Sequence, residues 1–192
     1  MERKYVLVAL LALLTGAGLA TASPIAFTES AVGSGSLGGN SFIDSLITLT
    51  AIGDTSNVEN GGEGEDLWLL PVTGVSIDVA SLGTTAILTD AAEVFSCLQT
   101  LCGEPVAGIT DDVFGDILDT SEVSADRLLT LIGPATGPSA YQPGVDFGTD
   151  QGLFVINSAG DSTFTATLTP EPAGMALFVL GLTSLAVIKR RR

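Results

Sequence analysis

The chain contains no histidine, and its middle contains almost no positive charge. Without histidine, neither a Ser-His-Asp triad nor a Cys-His pair can be assembled. Lysine is absent between Lys4 and Lys189, which excludes a lysine base over that stretch, and no G-x-S-x-G nucleophile elbow occurs. Cysteine is limited to Cys97 and Cys102, and no second Cys/His pair is present to complete a tetrahedral metal site. The 7 basic residues are Arg3, Lys4, Arg127, Lys189, Arg190, Arg191 and Arg192, and only Arg127 lies between positions 23 and 169. Of the 22 acidic residues, all but Glu2 and Glu171 fall in that stretch, so 20 acids face one cation and its formal charge is −19. Such a field repels nucleic acid and anionic lipid head groups; it favours solubility and the binding of cations. The run Gly33-Ser34-Gly35-Ser36-Leu37-Gly38 fits G-x-G-x-x-G, but strand-like residues follow it where a nucleotide site needs a helix, so the match is one of chance.

Apolar residues concentrate at the two ends. At the front, Arg3 and Lys4 precede an almost unbroken apolar run over residues 5–14. Residues 15–19 then loosen any helix, and Ala20-Thr21-Ala22 places small residues at both specificity positions of an A-x-A site. This order predicts a signal peptide over 1–22, cut after Ala22 to leave Ser23 first. The competing reading is an uncleaved anchor, for which the run is short. At the far end stand Pro170-Glu171-Pro172, an uncharged apolar segment over 173–188, and Lys189-Arg190-Arg191-Arg192. Two prolines around Glu171 forbid a regular helix or strand there and predict an extended hinge. As a helix, 173–188 would be roughly 24 Å long, close enough to the ~30 Å hydrocarbon core to span it with local thinning and snorkelling of the basic tail. The four terminal cations would stay cytoplasmic and place the bulk of the chain outside. The alternative is a buried core helix.

This three-part tail, joined to a signal peptide, resembles the PEP-CTERM sorting signal. The resemblance covers the leader and about the last two dozen residues. It implies a Gram-negative-type host that makes exopolysaccharide, Sec-type export, and recognition by an exosortase, a membrane cysteine protease of the transpeptidase type. Cleavage would fall near Pro170, Glu171 and Pro172, with Lys189 to Arg192 as further recognition elements. The mature protein would pass to the outer surface or extracellular matrix, in the manner of other removable C-terminal signals.

Between the ends, residues 23–169 alternate β-branched and apolar residues with Ser and Thr, punctuated by Gly, Pro, Asp and Asn. The pattern predicts short strands joined by turns. Phe164, Ala166 and Leu168 share one face of a strand opposite three threonines, and Val75, Ile77 and Val79 alternate in the same way. Ile43, Ile47 and Leu49 mark a third, and 128–132 and 153–156 two shorter buried ones. Two-faced strands need a second sheet over their apolar side. The expected fold is therefore mainly β, an antiparallel β-sandwich ectodomain (23–169) with an N-terminal signal helix (1–22) and a C-terminal transmembrane helix within the sorting tail (170–192). Residues 33–39 read as a flexible turn, 57–66 as an acidic glycine-rich loop, and 133–144 as an ordered, irregular one. Residues 111–126 are the best helix candidate, with Val113, Phe114, Ile117 and Leu118 on one side and Asp111 or Asp112 near the start.

Few residues in this region carry a chemical signal. In an oxidising compartment Cys97 and Cys102 read as a disulfide, with a pair of free thiols as the other reading. Glu59, Glu63, Glu65 and Asp66 on the glycine-rich loop could ligate calcium, as could Asp111, Asp112, Asp116 and Asp119; the alternative for both is a solvated acidic surface without EF-hand spacing. No other cofactor is expected. Arg127 pairs with a neighbouring carboxylate such as Asp126, or takes a ligand. Trp68 is a core residue or, if exposed, a platform for a sugar ring. Two facing acids could serve a glycoside hydrolase, but nothing selects two from 20. The expectation is a non-catalytic structural or adhesive protein of the cell surface or biofilm matrix, with exopolysaccharide as a candidate partner; a carbohydrate- or calcium-binding module is the alternative.

Overall fold

The computed structural model describes residues 24–61, 66–111, 115–123 and 132–169. The leader, the Pro-Glu-Pro hinge, the apolar segment 173–188, the basic tail and Arg127 lie outside the described residues. Among the described residues, no helix is long and apolar enough to cross a membrane.

The chain runs through β1 (Pro24–Leu37), β2 (Asn40–Asp54), a 3-10 turn (Thr55–Asn57), β3 (Glu59–Asn60), β4 (Leu67–Val72), β5 (Val75–Val79), β6 (Thr84–Ile87) and β7 (Ala92–Cys97). A one-turn helix α1 (Gln99–Cys102) leads to β8 (Val106–Asp111), β9 (Gly115–Ser121), β10 (Ile132–Gly137), β11 (Ser139–Ala140), β12 (Phe147–Thr149) and β13 (Gly152–Leu168). Sheet A has the order β10-β13-β1-β2-β5-β6, with β12 also pairing β13; sheet B has the order β11-β9-β8-β7-β4-β3. The protein is mainly β, and its ladders are antiparallel.

Both sheets feed one core. Sheet A contributes Ile25, Phe27, Ile47, Leu49, Ile77 and Phe164, and sheet B contributes Leu70, Val94, Ile109 and Leu118. The two layers thus cover each other's apolar faces, as amphipathic strands require. In β1 the alternation is unbroken at its start: Ile25, Phe27, Glu29 and Ala31 point inward while Ala26, Thr28 and Ser30 point out. Phe27 and Phe164 meet at 6.0 Å between ring centroids, and Phe42 and Phe154 stack at 6.4 Å. A hairpin joins β1 to β2 through Gly38 and Gly39, both at positive φ (58° and 81°), as a tight two-residue connection between right-twisted strands demands.

Several expectations hold and several change. Val75, Ile77 and Val79 are fully buried on one face, as are Phe164 and Ala166; Leu168, at the strand end, is 40% exposed. Ile43 is 76% exposed, whereas Ile47 and Leu49 are buried. The cause is a bulge: Phe42 pairs Gly35 and Ser45 pairs Gly33, so Ile43 and Asp44 together oppose Ser34. Asp44 takes φ 48°, and its amide donates to Ser34 Oγ at 3.1 Å. One extra residue reverses the inside–outside phase.

The helix expected over 111–126 is not formed where the chain is described. Residues 115–121 are strand β9, while 112–114 and 124–131 lie outside the described residues. Ile109 pairs Leu118 and Thr110 pairs Asp116, so Ile117 is an inserted residue. The Ile117-Leu118 doublet that mimics helical spacing is thus a second bulge. Asp111, expected near a helix start, instead accepts the Gly115 amide at 3.2 Å across the hairpin between β8 and β9. Residues 33–37 belong to β1 rather than to a flexible turn, and the loop expected over 133–144 contains β10 and β11. Of the strand expected over 128–132, only Ile132 is described, as the start of β10. Cys97 and Cys102 form a disulfide across α1, with Cα atoms 6.1 Å apart.

Candidate functional site

The sequence-predicted acidic sites do not converge where they are described. Glu59 lies exposed in β3 opposite Leu69, and Asp66 precedes β4, its carbonyl accepting the Leu98 amide at 2.8 Å. Glu63 and Glu65 lie outside the described residues, as does Asp112. Among the described residues, no three His, Cys, Asp or Glu side chains come together as a metal set. Asp119 is 4% exposed, and its Oδ1 accepts the Ala140 amide at 2.8 Å, which ties β11 to β9. Burial, the nearby Asp116 charge and, less strongly, Glu104 push the Asp119 carboxyl up to about 7 against the pull of that amide; burial also raises Asp116. Trp68 is partly buried and packs against the main core, which matches the core reading rather than the sugar-stacking one. Ala20, Ala22, Ser23, Pro170, Glu171, Pro172 and Lys189 to Arg192 lie outside the described residues.

Two features were not singled out in the sequence. The first is Glu29, fully buried on the inward face of β1. Its Oε1 accepts a hydrogen bond from the Thr120 hydroxyl of β9 at 2.9 Å, and its Oε2 has no hydrogen-bond partner. Thr120 Oγ1 lies 2.7 Å from Ser162 Oγ of β13, and Ser162 donates to the Asp119 carbonyl at 2.9 Å. This small polar network joins β1 and β13 of sheet A to β9 of sheet B. Burial raises the Glu29 carboxyl well above the usual range, with Asp119 and Asp116 adding to the rise while the Thr120 hydroxyl and Ile109 amide oppose it. A signal was available: Glu29 occupies the apolar phase of Ile25, Phe27 and Ala31, where an acid cannot face water.

The second is the outer face of sheet A. Register aligns Thr136, Thr163, Ser30, Thr48, Asp78 and Thr85 in one row across six strands. A second row holds Thr165, Thr28, Thr50, Ser76 and Ile87. Neighbours within a row stand about 4.8 Å apart, and the rows roughly 7 Å apart. Thr136 and Thr163 hydroxyls meet at 2.8 Å, and Thr85 donates to Asp78 at 3.1 Å. Asp78 is the one ionisable side chain in the two rows, in a region otherwise dense in acids. Toward β5 and β6 the second row opens into a groove of about 350 Å³ lined by Thr50, Ile52, Thr73, Gly74, Ser76 and Ile87. Its walls combine exposed aliphatic carbon with hydroxyls.

Comparison with known proteins returns no match to this chain, whether to a family model, to a curated protein or to a solved structure.

Proposed function

We propose that the chain is an exported, non-catalytic protein of the cell surface or biofilm matrix, delivered by a PEP-CTERM-type tail that an exosortase recognises. In this reading a β-sandwich ectodomain sits between a cleaved signal helix and a C-terminal membrane helix, and the sorted product has a structural or adhesive role. The observation that most supports it is where the domain's ends lie. Ile25 pairs Leu168 on adjacent strands, and the Pro24 carbonyl accepts both the amide and the hydroxyl of Thr169 at 2.8 Å. Pro24 and Thr169 therefore lie together at one pole of the sandwich. Held by leader or tail, the precursor presents that same pole to the membrane, and both proposed cuts fall just beyond the last strand pair.

Intact mass of the protein recovered from outer surface and medium tests this. A species starting at Ser23 and ending near Thr169 or Pro170 is expected only in cells that possess the exosortase. A form retaining residues 173–192 with and without the enzyme would make this a permanently anchored ectodomain and defeat the sorting reading.

The outer face of sheet A favours a second reading, contact with a neutral polysaccharide. Its hydroxyl rows offer donors and acceptors, the groove offers carbon for the apolar face of a sugar ring, and the domain's charge disfavours polyanions. In affinity electrophoresis, neutral glucans in the gel are expected to retard the protein while alginate leaves it unchanged. A Thr50→Glu/Ile87→Glu variant should lose at least tenfold in retardation. Equal retardation of the variant would remove this face from consideration.

A further inference from the structure

A buried network can be read by counting its hydrogens. Glu29, Thr120, Ser162 and the Asp119 carbonyl are linked by three contacts of 2.9, 2.7 and 2.9 Å. Each hydroxyl carries one hydrogen. If Glu29 is ionised, Thr120 must donate to its Oε1 and Ser162 to the Asp119 carbonyl, which leaves no hydrogen for the 2.7 Å contact between the two hydroxyls. A proton on Glu29 Oε1 removes the conflict. Glu29 then donates to Thr120, Thr120 to Ser162, and Ser162 to the Asp119 carbonyl, one direction throughout.

The surroundings agree with a neutral acid. Glu29 is 0% exposed. Its cross-strand neighbours are Leu49 on β2 and Phe164 on β13. Among the described residues, the charged groups that act on it are Asp119 and Asp116 of β9, both of the same sign, while the Ile109 amide of β8 pulls the other way and the Ser162 hydroxyl of β13 reaches it through Thr120. An unpaired Oε2 is tolerable as the carbonyl of a neutral acid but costly as half of a buried carboxylate.

We propose that Glu29 is a neutral carboxylic acid whose proton closes a hydrogen-bonded strut between the two sheets, so that the sandwich carries a built-in, alkali-sensitive catch. The sign follows from linkage. A carboxyl whose folded pKa is raised contributes stability that is complete below the ordinary carboxylate range and is lost as pH rises through the folded value. Across that window the folding equilibrium constant falls about tenfold per pH unit for each such proton. Asp119, raised to about 7, acts in the same direction, so the two must be separated by mutation. An exported protein meets the pH of its surroundings directly, which gives the catch something to sense; the inference itself does not depend on the sorting reading.

The test is urea unfolding from pH 5 to pH 9 for wild type, Glu29→Gln and Asp119→Asn, with carbon-13 NMR of glutamate δ-carbons in the wild type. Glutamine keeps the shape and can donate to Thr120 at every pH. Glu29→Gln is expected to remove about a tenfold-per-unit dependence and to exceed wild type in stability at pH 8, while Asp119→Asn keeps that part of the slope. One glutamate δ-carbon should remain at its protonated shift at pH 7. An unchanged slope in Glu29→Gln would overturn the proposal. So would a spectrum in which all glutamates are ionised at pH 7, a readout that stands even if the variant fails to fold.

Discussion

Replacing Phe164 with alanine is expected to lower stability by about 4 kcal/mol, among the largest losses any single side chain here can produce. The ring is fully buried in β13, lies 6.0 Å from Phe27, and is packed into a core built from both sheets. Truncation removes its transfer free energy and leaves a void that twisted, hydrogen-bonded strands cannot close. The void would also adjoin Glu29, the cross-strand partner of Phe164. Water entering there would solvate the carboxylate, so the variant should show a shallower loss of stability with rising pH as well as a lower midpoint. Val32→Ala provides the contrast: Val32 is 52% exposed on the outer face of the neighbouring strand, and its change should stay within about 0.5 kcal/mol. Urea midpoints at pH 5 and pH 8 measure both effects. A Phe164→Ala loss below about 1 kcal/mol would mean that the sheets do not close over this ring.

The second large effect belongs to Gly35. A β-carbon there would run into the Val155 carbonyl of β13 and lie 2.9 Å from the Phe42 ring. Backbone on one side and a buried ring on the other leave no flexible group to yield, so Gly35→Ala is expected to cost about 3 kcal/mol. The experiment separates two pictures of the Gly-Ser run. In a flexible turn, alanine would be neutral or slightly stabilising because it restricts the unfolded chain. In a strand pinned against its neighbour it collides. Gly133→Ala, where a β-carbon would have nothing within 4 Å, is the matched control and should change little. A Gly35→Ala midpoint equal to that of Gly133→Ala would refute the register of β1 against β13.

These two sites also mark how far the sequence could be read. Where strands keep strict alternation, as at Val75, Ile77 and Val79, periodicity alone placed the buried face. It failed where one residue is inserted. Asp44 and Ile117 each add a residue to one side of a ladder, and a local pattern cannot reveal a bulge whose definition requires the partner strand. At Ile117-Leu118 the insertion imitates helical spacing; at Ile43 it turns an apolar side chain outward. The Gly-Ser run misleads for a related reason, because glycine reads as freedom until the backbone that crowds it is known. Glu29 stayed hidden among 20 acids because its distinction is the phase it occupies, and that phase becomes visible only once β1 is recognised as a strand. The hydroxyl rows depend on cross-strand register, which no single segment encodes. The two ends are the reverse case: the expectation of a leader and a sorting tail rests on linear order alone, and both segments lie outside the described residues.

The pairing of the first described strand with the last has a mechanical consequence. β1 and β13 are antiparallel neighbours whose outer ends lie together, and the hydrogen bonds between such strands run across the strand direction. Tension applied between the two ends would therefore peel this ladder open from Pro24 and Thr169, one rung after another, rather than load all rungs at once in shear. A domain wired in this way is weak as a link in a stretched chain. It resists far better when gripped by one end and pressed or pulled through its flanks, as a bead held on a surface would be.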